Sequence, residues 1–413
     1  MDNLITTIRR AGDNGSLVVL SLEGNEEVLN KNVSSLDQFV GRCETNFWTC
    51  VQAAVILAKL TTCSTVEPQL CSEIQTFFEA ANTDHLQLSK RTVRRIGNLL
   101  TKKLLSQSSA IRGIPILRTA INRMQNGLKH LTSLHVNICQ LAISAKFFSP
   151  VIPILNEDIL DVDPNKKAYC IQDTLLYFYY GGMVYAAVKM WERSYNFFNL
   201  ACSLPNLLLS HVAYSAAKKF VLVSLIHKGE FNRTDCKVFS RIKEHLEPYR
   251  RLEIAFASQN TSSLQSVIAE NRAAFEQDKN LGLVKQLVDC HIKCRIQSLT
   301  ETYFSLTIND FVTLAGFDSP IAAEQKLIEL AASELIFVKI DHKSGCVRFL
   351  DNSERYESPE VLSTLIQKMR DTMSYDKLLR QINSEEEVRS ANTENTPASS
   401  ISTITTKRKS PVH

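Results

Sequence analysis

From the start of the chain to about Pro150, apolar positions recur at threes and fours. Ile111, Ile114, Leu117, Ile121 and Met124 form one series, and Leu131, Leu134, Ile138, Leu141 and Ala145 the next, with Gly113 and Gly127 near the breaks. That spacing puts each series on one face of a helix. The run SLVVLSLEG at 16–24 has a partial strand pattern, but its surroundings are helical and it is read as helix. Successive amphipathic helices, each burying its face against its neighbours, predict an α-solenoid.

The clearest repeat covers 178–205. Phe178, Gly182, Tyr185, Ser194, Phe198 and Ala201 fall at the spacings of a tetratricopeptide repeat, with Ser194 where Ala is commoner and Pro205 one place early. Small residues let two helices approach, and the aromatics fill the space between them. The crowded YFYYGGMVY is therefore read as core packing rather than a ligand box. Residues 207–226 and 241–259 continue the helical pattern.

The pattern changes after Leu281. A long helical run, LGLVKQLVDCHIKCRIQSLTETYF, leads to Thr307, which with Asp310 can start a short helix over Phe311 and Leu314 that Gly316 ends. Ser319 then caps a second helix with Pro320 in its first turn, whose apolar face is Leu327, Ile328, Leu330 and Ala331. Ile336 to Ile340 alternates, 341–345 turns, and Cys346 to Phe349 pairs back. Helices followed by a wing give a winged-helix order. Its hairpin edge, carrying Ile336, Val338, Ile340, Val347 and Phe349, is a template for strand pairing with another subunit.

Beyond the wing, Pro359 opens a further helix, read to about Ser384. Leu362, Leu365, Ile366, Met369 and Met373, continued by Leu379 and Ile382, are read as one apolar stripe, and Lys368, Arg370, Asp371 and Lys377 occupy much of the rest. Seven turns are more than one winged helix can cover along its whole length, so part of the stripe is expected to seek another surface, the alternative being a helix that folds back on its own domain.

Charge bears on what that surface is. Between Leu299 and Phe349 four Lys or Arg face seven acids, a net −3, the reverse of what phosphate binding needs. The helix that would enter a major groove offers one Lys, two Glu and no Arg or Asn to read base edges. The whole chain, 413 residues at net +4, carries no strong field for nucleic acid or membrane. Its 11 cysteines lack paired CxxC spacing and read as thiols of a reducing compartment. MDNLITTIRR lacks the apolar core of a signal peptide, and the longest apolar stretch, Leu175 to Val188, has 14 positions, too few to span a bilayer. The last 25 residues contain ten Ser or Thr and no aromatic, and read as a disordered tail; Lys407, Arg408 and Lys409 before Ser410-Pro411 read as solvated charge, with a nuclear-import or phosphorylation site as the alternative.

Catalytic patterns are missing. HExxH, a His-x-His pair with a distant Asp, and GxxxxGKS are all absent. Cys290, His291 and Cys294 lie close, but on one helix His291 sits ~100° from Cys290 and cannot easily join it on a metal. No catalytic residue, metal or cofactor is expected.

The run SLTINDFVTLAGF followed by AEQKLIELAASELIFVKIDHKSGCVRF resembles the winged-helix half of a PCI domain. Subunits of the proteasome lid, the COP9 signalosome and a translation initiation complex share that module. Where the pattern usually places Gly before the first wing strand, this chain has Glu334. YYGGMVYAAVKMWERSYNFFNLACSLPN, RGIPILRTAINRMQ, LTSLHVNICQLAISAKFFSP and NLGLVKQLVDCHIKCRIQSLTETYFSLTINDF are together similar to a PCI subunit of the COP9 signalosome, over about 35–385 and most closely over 110–350.

The resemblance implies a mainly α chain: an α-solenoid of TPR/HEAT-like repeats (1–180), a PCI domain (181–355, with a helical part 181–298 and a winged helix 299–352), a C-terminal assembly helix (356–388) and a tail (389–413). It further implies a noncatalytic scaffold in the complex that deneddylates cullin-RING ubiquitin ligases. The implied partners are other PCI subunits and the module of the zinc isopeptidase, a different subunit; cullin-RING ligases are reached through the complex. Cytoplasm and nucleus are the expected locations. A proteasome-lid scaffold is the alternative, and a nucleic-acid-binding winged-helix regulator is disfavoured by the acidic module.

Overall fold

Asn14 starts the first long helix as its residue type predicts, its side-chain oxygen accepting the N–H of Leu17. The computed structural model describes residues 6–8, 10, 14–32, 47–125, 130–157, 159, 161–162, 171–204, 211–231, 246–258, 260–317, 319–342, 345–350 and 359–394. The chain divides into two compact units, Met1–Tyr303 with Asn309–Ala323, and Phe304–Ile308 with Glu324–His413.

The first unit is a succession of helices: α1 (Gly15–Gly24), α2 (Glu26–Lys31), α3 (Trp48–Thr62), α4 (Pro68–Ala80), α5 (Thr83–Leu88), α6 (Lys90–Ser106), α7 (Gly113–Gln125), α8 (Ser133–Ala145) and α9 (Ile152–Asn156). The run at 16–24 is helical, in α1. Ile114, Leu117, Ile121 and Met124 are buried along α7, but Ile111 lies in the 3-10 turn before it and is exposed. A periodic series locates a stripe, and a residue outside the helix loses its phase. Lys103 on α6 donates to the carbonyl oxygens of Leu60 and Cys63, a cation over the last turn of α3. Two short strands, β1 (His130–Leu131) and β2 (Asp161–Val162), pair in parallel, which no alternation announced.

α10 (Ile171–Ala187) joins two cores. Tyr177 and Tyr185 pack with Phe77, Ile96, Leu117 and Ile138, while Leu175 belongs with Phe198, Phe220, Tyr249 and Phe275. The boundary expected at 180–181 thus falls inside one continuous helix. α11 (Trp191–Ser203) crosses α10 where the repeat spacing put small residues: Gly181 faces Phe197 and Gly182 faces Phe198. Pro205 lies outside the described residues. α12 (His211–Lys228), α13 (Glu247–Ala257), α14 (Thr261–Glu270), α15 (Arg272–Gln277) and α16 (Leu281–Thr302) follow. A partly buried polar network ties them together: Lys218 pairs with Asp278 at 2.7 Å, Tyr249 donates to Asp278 at 2.8 Å, and Asn280 donates to Tyr249 at 2.7 Å.

The remaining elements are β3 (Ser305–Thr307), α17 (Ile308–Ala315), α18 (Pro320–Ala332), β4 (Phe337–Asp341), β5 (Cys346–Leu350) and α19 (Pro359–Glu394). Gly316, at φ +73°, ends α17, and the Ser319 hydroxyl accepts the N–H of Ala322 at the start of α18. Along α18, Ala323, Leu327 and Leu330 are buried, but Ile328 is exposed. The winged-helix order is therefore present with one strand more than expected: Ser305–Thr307 is too short to show alternation. No helix among the described residues is long and apolar enough to cross a membrane.

Candidate assembly surfaces

The order β3-β5-β4 puts β5 in the middle of the sheet. Val347 and Phe349 are therefore buried residues of a central strand, not members of an exposed edge, and Ile336 is buried just ahead of β4. The outer strand of the hairpin is β4 alone. Its register can be read residue by residue. Phe349 N–H donates to Phe304 C=O and Ile308 N–H to Gly345 C=O, so the odd residues of β5 turn their backbone groups toward β3. Even residues of β5 then face β4 and bond Phe337, Lys339 and Asp341, which lie opposite them. Val338 and Ile340, opposite Phe349 and Val347, consequently point N–H and C=O away from β5, toward the outer edge.

Side chains on the sheet divide by the same parity. Val338, Ile340, Val347 and Phe349 share the inner face, the first two half-buried. On the outer face Phe337 lies opposite Leu350 and Lys339 opposite Arg348. Phe337 and Leu350 are exposed, and Phe304, at the start of the unit, is 73% exposed. Sequence reasoning missed these three; for Phe337 and Leu350 the signal was an apolar residue at an outward position of each strand of the hairpin, whereas Phe304 lies just ahead of β3, opposite Phe349. Two like charges directly opposite are unfavourable, a cost an acidic side chain alongside would relieve.

Glu334 takes the left-handed conformation, φ +57°, that the usual Gly would adopt. Its N–H bonds Ala331 C=O, and Leu335 N–H bonds Leu330 C=O, closing the end of α18 with paired bonds of the kind that turn requires.

α19 runs for 36 residues, about 54 Å at ~1.5 Å per residue, and continues to Glu394 rather than stopping near 384–388. The tail expected from 389 therefore begins inside it, and residues beyond 394 lie outside the described ones. Leu362, Leu365, Ile366, Met369 and Met373 are all exposed, Met373 at 70%, as are Tyr375, Leu379 and Ile382. At ~100° per residue the first five share one arc of about 100°, but Leu379 is about 120° from Met373. Tyr375, Leu378, Leu379 and Ile382 form a second arc on the roughly opposite face. The single stripe expected from the sequence is thus two: a fixed 3.6-residue turn carries the second group round the helix.

Among the described residues no three His, Cys, Asp or Glu side chains gather as a metal ion would need. The exposed apolar and backbone groups of the second unit are suited to contact with protein.

The wing and its preceding helices define a PCI-type module, and residues 268–351 match the PCI domain. Residues 13–242 match the family described as COP9 signalosome complex subunit 3, N-terminal helical repeats. The Drosophila melanogaster protein named COP9 signalosome complex subunit 3 is 30% identical over 413 aligned residues, 94% of this chain and 92% of that protein. Its Dictyostelium discoideum counterpart is 25% identical over 363 residues, 86% of this chain and 87% of that protein. The chain belongs to the COP9 signalosome complex subunit 3 family.

Proposed function

We propose that this chain is a noncatalytic scaffold of the COP9 signalosome and serves deneddylation of cullin-RING ligases by holding other subunits in place. The observation that carries the reading is α19, whose large apolar side chains lie in water along two faces. Each one fully buried against a partner would contribute roughly 1.5–3 kcal/mol, so five or more would dominate the energetics of incorporation. The β4 edge supplies a second contact, with another PCI subunit as its partner. Lys326 is tied to Glu329 at 2.8 Å and Ile321 and Ile328 are exposed on α18, a surface that favours protein over phosphate. Cullin-RING ligases and the zinc isopeptidase would be met through the assembled complex, in cytoplasm and nucleus.

The test compares full-length chain with chains cut after Ser358 and after Glu394, each first checked for a cooperative melt. Incorporation is read by copurification on a sizing column. Loss with the shorter chain and retention with the longer one supports the reading; undiminished incorporation of a folded chain lacking α19 overturns the role of the helix. Isopeptidase activity from the isolated chain would overturn its noncatalytic standing.

A further inference from the structure

Cys290 and Cys294 stand one turn apart on α16, their sulfurs 3.9 Å from each other. Both are half-buried, and the Cys290 thiol donates to the carbonyl oxygen of Ile226 at 3.1 Å, bonding α16 to the last turns of α12. Gly229, at φ +74°, ends α12 beside them; a Cβ there would stand 3.5 Å from the Cys294 sulfur, so the missing side chain leaves that sulfur less covered. We propose that Cys290 and Cys294 form a reversible peroxide-sensitive dithiol, with Cys294 as the attacking sulfur and Cys290 as the resolving one.

The roles follow from the environment of each thiol. When Cys294 ionises, the single Cys290 proton turns from the Ile226 carbonyl to the Cys294 sulfur 3.9 Å away, and that bond, with Lys293, lowers the Cys294 pKa against the effect of burial. Cys290 is pushed up, first by its bond to Cys294 and then by burial, and keeps its proton. In the first step the Cys294 thiolate attacks hydrogen peroxide; the O–O bond breaks, an S–O bond forms, and hydroxide leaves to be protonated to water. In the second the Cys290 sulfur gives up its proton and attacks the Cys294 sulfur; the S–O bond breaks, the S–S bond forms, and a second water leaves. Two thiols and one peroxide thus give one disulfide and two waters. Proximity favours the second step, because the two sulfurs already touch.

Strain sets the reversibility. Cβ atoms four residues apart on a helix are ~5–6 Å apart, whereas a relaxed disulfide needs ~3.5–4.5 Å. The bridge must tighten this turn of α16 and give up the bond to Ile226, and strained disulfides are the readily reduced ones.

Full-length protein is treated with hydrogen peroxide and cut before aspartate, which releases residues 289–309 as one peptide containing both cysteines. The expected result is loss of two hydrogens from that peptide, restored by dithiothreitol. Cys290→Ser, which can still bond Ile226, should trap a sulfenic acid on Cys294 that dimedone labels, and Cys294→Ser should leave Cys290 unmodified. Iodoacetamide at neutral pH should label Cys294 faster than Cys290, because only Cys294 has its thiolate stabilised. The proposal is overturned if peroxide oxidises other cysteines while these two stay reduced. It is equally overturned if Cys294 in the unaltered chain proceeds to sulfinic acid without a bridge.

Discussion

The hydroxyl of Ser194 donates to the carbonyl oxygen of Gly182 at 2.9 Å, across the crossing of α10 and α11. Ser194 is fully buried, and a Cβ on Gly182 would meet the Phe198 ring at 3.0 Å. Closeness of the two backbones, more than the hydrogen bond, is what this pair provides. Gly182→Val should destabilise the chain by about 1–3 kcal/mol through overpacking. Ser194→Ala should cost no more than about 1 kcal/mol, because it removes a donor and leaves a carbonyl on an α-helix. Urea denaturation of both variants checks the order.

His135 sits at the third position of α8, where its ring accepts the N–H of Thr132 as part of a capping box. Burial holds it down to about 4. Above pH 6.5 it is neutral in both folded and unfolded chain, and stability is unaffected. As pH falls from 6.5 toward 4, the unfolded chain binds a proton that the folded one refuses, and up to about 3 kcal/mol is lost. His135→Gln keeps the capping geometry without the titration. Melting curves across that window should be flatter for the variant.

Glu334→Gly should be stabilising, by about 1 kcal/mol, because a left-handed residue with a Cβ is strained where glycine is not. A fall in melting temperature would mean that the Glu334 side chain outweighs its backbone.

Val338 and Lys339 are neighbours on β4 with opposite backbone directions. Val338→Pro removes the outward N–H and should leave the ladder to β5 intact, weakening copurification of PCI partners several-fold with little change in melting. Lys339→Pro removes a ladder donor and should lower the melting temperature. Equal partner binding by folded Val338→Pro and the unaltered chain would exclude the edge as a contact.

These cases separate what was legible in the sequence from what was not. Thr307, Gly316, Ser319 and Pro320 announced the ends of α17 and α18 because capping is local chemistry. The repeat spacing from Phe178 to Ala201 likewise led to the α10–α11 crossing. Sheet order was not legible: it depends on β3, three residues long, pairing with a strand about forty residues later in the chain. Leu379 and Ile382 were assigned to the wrong face because composition shows that apolar residues recur, while their direction accumulates turn by turn. Ile328 shows the same limit on a shorter scale.

Two apolar faces on α19 also bear on how long a copy of the chain survives by itself. Covering one side of the helix leaves the other in water, so a partly assembled copy still shows an apolar face to chaperones and proteases. Pulse labelling of surplus full-length chain should show it decaying faster than a folded chain cut after Ser358. The supply of this protein would then be matched to that of its neighbours by removal of the excess, with no separate sensor required.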